Sequence, residues 1–274
     1  MNVATKIEHK FPLGSVRRFG MFNWLGAWTL YAKEVRRFAK ITTQTIFAPM
    51  ITTLLYMAVF SLSVGGLRHS IHGIPFIDFL APGLIMMTMI QNAFANTSTS
   101  LILAKVQGNI VDYLMPPLSP GELNFGIAAA GVTRGILVGL STGLAMMIFV
   151  RMTPLHFWAI IFYTIGASLM LSLLGIIAGV WSEKFDHLQS VTNFVLLPLT
   201  FLSGTFYSVT QLPPVFQVIT HWNPVFYLID GFRYGFTDHA DGSLYIGIVT
   251  TIGVNAVLWL ISDRMFRTGY RLKG

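Results

Sequence analysis

The sequence predicts an all-α integral membrane protein with six transmembrane helices and both termini in the cytoplasm. Three observations predict it. Charged residues make up 11% of the chain against 54% hydrophobic, and the mean hydropathy is +0.65. A soluble domain carries about a quarter charged residues, and so few charges could not cover a soluble surface. Six apolar runs approach the ~20 residues that a helix needs to cross a bilayer. Finally, Lys and Arg are shared unequally between alternate connections.

The runs lie near 43–64, 79–103, 124–150, 156–181, 188–206 and 243–262. In lipid they must be helices, because only then is every backbone group satisfied within the segment. The alternation of a membrane barrel is absent. With the N-terminus inside, the inner segments hold fourteen Lys and Arg, and the outer ones hold only Arg68, Arg151 and Arg233. The chain then divides into a cytoplasmic N-terminal segment (1–41), a transmembrane domain (42–262) and a cytoplasmic tail (263–274). On this reading the net charge of +7 is a topology signal and not a stripe for nucleic acid. The N-terminus does not read as a cleavable signal, since its first long apolar run begins near residue 41 with no small-residue cleavage pattern after it. With no cysteine, disulfides, thiolate chemistry and Cys-ligated metals are excluded.

Ahead of the first run, "WLGAWTLYAKEVRRFAK" (24–40) places Trp24, Trp28, Tyr31, Val35 and Phe38 on one helix face. Lys33, Arg36, Arg37 and Lys40 take much of the rest, and Glu34 can pair with Arg37 one turn on. A basic amphipathic helix with aromatics lies in the membrane interface. It is either an anchor on lipid that fixes topology or a helix that docks on a cytoplasmic partner and moves.

The inner half of the second run, "QNAFANTSTS", puts Asn92, Asn96 and Thr99 on one face. They either line a water-accessible path or bond to neighbouring helices. The third run carries Gly131, Gly135, Gly139 and Gly143 at four-residue spacing, and the fourth repeats the device at Gly175 and Gly179; small residues so spaced let helix backbones approach closely. Arg134 lies beside that ridge. It needs a partner from another helix or subunit, or else it snorkels to the inner boundary.

Between the second and third runs, "IVDYLMPPLSPGEL" (110–123) is a cytoplasmic loop. Its prolines would stop a short helix sharply, and its face of Ile110, Val111, Tyr113, Leu114 and Met115 is more apolar than a free loop needs. It reads as a plug for a partner's groove, or as a stiff turn that sets helix spacing.

The stretch "LSGTFYSVTQLPPVFQVITHWNPVFYLIDGFRYGF" (202–236) holds two apolar pieces, each too short to span. Pro213 and Pro214 open the first. Asn223 and Pro224 open the second, an N-cap followed by proline at the first helical position. The pair suggests a segment that dips into the membrane and returns, with Asp230 and Arg233 placed to neutralise each other.

No nucleotide-binding P-loop and no H-E-x-x-H occurs. His69 and His72 form an i, i+3 pair, but without further ligands they assign no metal. No pair of carboxylates falls mid-membrane, which counts against an intramembrane aspartyl protease and against a proton-driven carrier.

Taken in order, the amphipathic helix, six spans, "YLMPPLSPGEL" and the 202–236 stretch resemble the type-2 ABC transporter permeases, membrane subunits of bacterial exporters for polysaccharides, lipids and drugs. The most specific part is Leu202, Ser203, Gly204, Leu212, Pro213, Asn223, Pro224, Asp230 and Arg233. The resemblance implies a half-transporter of the bacterial inner membrane: two copies around a central path, with separate ATPase chains beneath that carry the ATP and Mg. It implies a coupling helix at about 107–118, engaging the ATPase through Ile110, Asp112, Tyr113, Leu114, Met115, Pro116 and Pro117. It also implies that the second and fifth spans line the path, which favours Asn92, Asn96 and Thr99 as pathway residues, with Arg134 nearby. Two other classes compete. An ion- or proton-driven carrier working without an ATPase would use Arg134, but it lacks buried carboxylates and an inverted repeat. A lipid-modifying enzyme would need a nucleophile, base or metal cluster, and none is visible.

Overall fold

The computed structural model describes residues 22–63 and 70–272. Lys6, Lys10, Arg17, Arg18, Arg68, His69 and Lys273, which entered the charge count and the histidine pair, lie outside the described residues.

Among the described residues the regular structure is helical apart from one small hairpin. It begins with α1 (Trp24–Ala39), capped by the Asn23 side chain, which accepts from Gly26 N at 3.0 Å. A π-helical turn (Thr43–Phe47) leads into α2 (Ala48–Ser63). Strands β1 (Ser70–Ile71) and β2 (Ile74–Pro75) pair antiparallel with Ile71 opposite Ile74. Their two-residue turn holds His72 and Gly73 at positive φ (51° and 80°), the conformation that closes a tight hairpin.

The central element is α3 (Phe76–Val106, 31 residues), buried along most of its length. After it come α4 (Val111–Leu114), α5 (Pro120–Met146) and α6 (Phe157–Trp181). Helices α5 and α6 pack on α3 through the two glycine stripes. A Cβ on Gly135 would sit 2.9 Å from Ser168 Oγ and 3.3 Å from the Met89 carbonyl, and one on Gly175 would sit 2.5 Å from the Phe94 carbonyl. The glycines expected to promote close packing do so within this chain, gripping α3 from two sides.

Five helical stretches are long and apolar enough to cross a membrane: Thr43–Ser63, Phe76–Val106, Pro120–Met146, Phe157–Trp181 and Leu244–Thr268 (α11). The run expected at 188–206 differs. It is a shorter composite of α7 (Phe185–Val191), a π-helical turn (Thr192–Leu196) and α8 (Leu197–Phe201). Hydropathy alone could not see this break. Pro198 has no N–H to give the carbonyl four residues back, and its ring would clash there. The turn before it widens, and Leu197 N donates to the Thr192 carbonyl five residues back. The first span repeats the device: Pro49 follows a turn in which Ala48 N donates to the Thr43 carbonyl.

The 202–236 stretch forms two short helices, α9 (Pro214–Trp222) and α10 (Pro224–Thr237), broken at Asn223 as its N-cap chemistry predicts; Asn223 Oδ1 accepts from Val225 N at 3.0 Å. α10 is buried from Val225 to Arg233. Two of the buried apolar clusters make up most of the core. The larger gathers Phe79, Met86, Tyr163 and Ile229 toward the hairpin, and the smaller gathers Leu30, Leu101, Tyr113, Ile127 and Phe266 around α1 and α4.

Candidate functional site

Helix α1 turns a different face to the protein from the one its aromatics mark. Ala27, Leu30, Glu34 and Phe38 are buried against α5 and α3, while Trp24 (68%) and Trp28 (65%) stay exposed beside them, as do Arg36 and Lys40. Of the predicted aromatic face only Trp24 and Trp28 are left exposed; Tyr31 and Val35 are half-buried, Phe38 is buried, and a glutamate goes inside with it.

Glu34 is 0% exposed and its carboxylate is the hub of a network across three elements. Oε2 accepts from Arg37 Nη2 (3.1 Å) and Nε (3.2 Å) and from Ser100 Oγ (2.7 Å) on α3; Oε1 accepts from the Tyr113 hydroxyl (2.6 Å) on α4. The Tyr113 and Ser100 hydroxyls lie 3.0 Å apart, and Lys33 Nζ sits 3.9 Å over the Tyr113 ring. Arg37 Nη2 also donates to the Asn96 carbonyl (2.9 Å) and Oδ1 (3.0 Å). A buried carboxylate survives because charged and hydroxyl donors surround it. Burial first, and then the Glu34 charge and hydrogen bond, push the Tyr113 hydroxyl well above its ordinary pKa; it keeps its proton and acts as donor.

The expected Glu34–Arg37 pair is present. The contacts to Ser100 and Tyr113 were not expected, because nothing local in the sequence links α1 to α4. Tyr113 therefore faces inward, unlike the outward role first given it, and Ile110 is half-buried beside it; Val111, Asp112, Leu114, Met115 (79%), Pro116 and Pro117 remain exposed. The loop is tied to α1 a second time. Asn23 Nδ2 donates to the Pro117 carbonyl at 3.2 Å, and Asn23 N donates to Glu122 Oε1. Glu122 also closes a capping box with Ser119 at the start of α5, a Ser-x-x-Glu signal that was open to view in "SPGE".

The predicted pathway residues separate. Asn92 and Thr99 line a cleft of about 560 Å³ between α3 and the α7–α8 stretch, with Gln91, Ser98, Asp186 and Gln189. Asn96, 0% exposed, instead belongs to the Glu34 network. Arg134 finds its partner on another helix, donating from Nη2 to Asn92 Oδ1 at 3.0 Å; the partner is an amide oxygen, not an acid.

At the hairpin end, Asp230 and Arg233 do not form the ion pair expected of them. The Asp230 carboxylate accepts from Asp241 N and Gly242 N, both at 2.9 Å. Arg233 donates to the Phe79 carbonyl (3.1 Å) and the Gly204 carbonyl (2.7 Å), with its guanidinium 3.8 Å over the Phe79 ring. Each charge is answered by backbone groups, amides of the α10–α11 connection on Asp230 and carbonyls of α3 and of the turn after α8 on Arg233, rather than by the other side chain.

The ABC-2 type transporter family matches residues 26–237, from α1 through α10. The chain belongs to that family. It is 40% identical over 235 residues to the inner membrane transport permease YadH of Escherichia coli (strain K12), covering 85% of this chain and 90% of that protein. It is also 24% identical over 256 residues to nodulation protein J of Rhizobium leguminosarum bv. viciae, covering 90% and 95%. The resemblance read from the sequence is thereby established: this is an ABC transporter permease subunit, a multi-pass protein of the inner membrane. Membership implies partnership with an ABC ATPase subunit.

Proposed function

We propose that this permease is half of an ATP-driven exporter, pairing with a second copy of itself and with a separate ATPase chain that holds the ATP and Mg. Its substrate is a polysaccharide, a lipid-linked molecule or an amphipathic drug-like compound. Both termini face the cytoplasm, and the 185–201 stretch makes the sixth crossing. In support, Glu183 lies 3.6 Å from Arg271 beside the end of α11, while Gly204, just past α8, is held by Arg233 at the opposite end. The α9–α10 pair re-enters from the outer side.

One observation carries the coupling role. Exposed Val111, Leu114 and Met115 stand on a loop fastened to α1 at two places, through Tyr113–Glu34 and Asn23–Pro117. A push from an ATPase on that apolar tip moves α1 with it. Through Arg37 and Asn96 the push reaches α3, whose Asn92 and Thr99 line the cleft that serves as the path. The exposed tryptophans of α1 rest on lipid.

Co-purification with a soluble ABC ATPase, and ATP hydrolysis that rises when transport substrate is added to the reconstituted complex, are the expected outcomes. Full transport by the permease alone in liposomes would sink the reading. Topology has its own test, because the chain has no cysteine: Asn109→Cys and Thr153→Cys should label from opposite sides of the membrane.

A further inference from the structure

Three side chains from distant parts of the chain converge at the hairpin end. His72 stands in the β1–β2 turn, and His239 and Asp241 stand in the connection between α10 and α11. One ligand atom from each lies within 4.8 Å of the other two. His239 Nε2 is 3.3 Å and His72 Nε2 3.6 Å from Asp241 Oδ1. Two donors held at ~2.0–2.2 Å on a tetrahedral metal stand about 3.3 Å apart, so both separations suit one shared ion.

The state of the carboxylate points the same way. The Asp241 side chain is 2% exposed. Its Oδ2 is used, accepting from Ser208 Oγ (2.7 Å) and Val209 N (2.9 Å). Its Oδ1 has no hydrogen-bond partner, and neither has His239 Nε2, which faces it. A buried carboxylate oxygen and an imidazole nitrogen left unbonded at contact distance are costly unless something binds both. The support expected around metal ligands is also present. Asp241 N is anchored on Asp230 Oδ1, Ser208 and Val209 fix the carboxylate plane, and the hairpin turn fixes His72 at φ 51°. His72 Nε2 also lies 3.2 Å from Ser208 Oγ and from Thr210 Oγ1, contacts it would give up on binding.

We propose that His72, His239 and Asp241 bind one divalent transition metal of the zinc class, with water completing the tetrahedron. Two imidazoles and a single carboxylate oxygen select zinc, cobalt, nickel or copper over magnesium or calcium, which require more oxygen ligands. The ion joins the hairpin between α2 and α3 to the connection between α10 and α11, cross-linking two connections that lie far apart in the sequence. By the topology above, it would be drawn from outside the cytoplasm.

The test needs neither ATPase nor transport substrate. Full-length permease carrying a histidine-free tag is purified in detergent, stripped with chelator and titrated with Zn²⁺, with Co²⁺ absorption as a second probe. One Zn²⁺ per chain, tetrahedral Co²⁺ bands and a raised melting temperature are expected, with none of these from Mg²⁺. His72→Ala and His239→Ala, neither of which removes a backbone anchor, should each weaken Zn²⁺ binding about tenfold or more while eluting as the wild type does. No Zn²⁺ uptake by the wild type, or equal affinity and stoichiometry in the His72→Ala/His239→Ala double variant, would overturn the assignment.

Discussion

At the α4 end of the permease, Glu34 is neutralised by side chains: an arginine, a serine and a tyrosine drawn from three helices. At the hairpin end, Asp230 and Arg233 are equally buried and yet answered by backbone, with amides of the α10–α11 connection on one and carbonyls of Phe79 and Gly204 on the other. Side-chain partners swing away by rotamer changes; backbone partners leave only if a loop or helix end moves. The first arrangement suits a joint that must be redrawn while an ATPase cycles, and the second suits a fixed frame against which the joint works.

The largest expected effect is Glu34→Ala. It removes the acceptor shared by Arg37, Ser100 and Tyr113, and breaking an ion pair whose carboxylate is buried should cost about 3 kcal/mol, seen as the deepest drop in melting temperature in detergent. Asp230→Asn should cost less, about 1–2 kcal/mol, because the amide oxygen still accepts from one of the two backbone donors; ATPase coupling should survive in it. If Asp230→Asn abolishes coupling while Glu34→Ala spares it, the assignment of joint and frame is reversed. Tyr113→Phe comes next, at about 1 kcal/mol. Among the described residues its hydroxyl makes the one hydrogen bond between Glu34 and α4 itself, so substrate-stimulated ATP hydrolysis should fall further than stability does. Leu114→Asp is the smallest in stability, within about 0.5 kcal/mol as for exposed positions generally, but substrate-stimulated hydrolysis should be lost. Normal stimulation in that variant would remove the coupling role from α4.

What the sequence made legible was local. The break at Asn223–Pro224, the glycine stripes and the Glu34–Arg37 pair all follow from residues within a turn or two of each other. The long-range partners were not legible. Ser100 and Tyr113 reach Glu34 from 66 and 79 residues away, and His72 meets His239 and Asp241 from the other end of the chain. Where a local rule failed, backbone groups took the partner's place: the i, i+3 spacing of Asp230 and Arg233 permits a pair, but amides of the α10–α11 connection and carbonyls of Phe79 and Gly204 answer the two charges instead. The internal form of the 188–206 run was not legible either, because hydropathy averages over Pro198 and the widened turn before it.

The two widened turns, ahead of Pro49 and ahead of Pro198, have a practical consequence for anyone mapping this permease by mutation. Each turn holds one residue more than an α-turn, and one residue is about 100° around a helix axis. A helical wheel drawn straight through 43–63 or 185–201 therefore slips out of phase partway along. A scan of single substitutions should show its period restart at each turn, and residues on the two sides of it that look adjacent on paper face different neighbours.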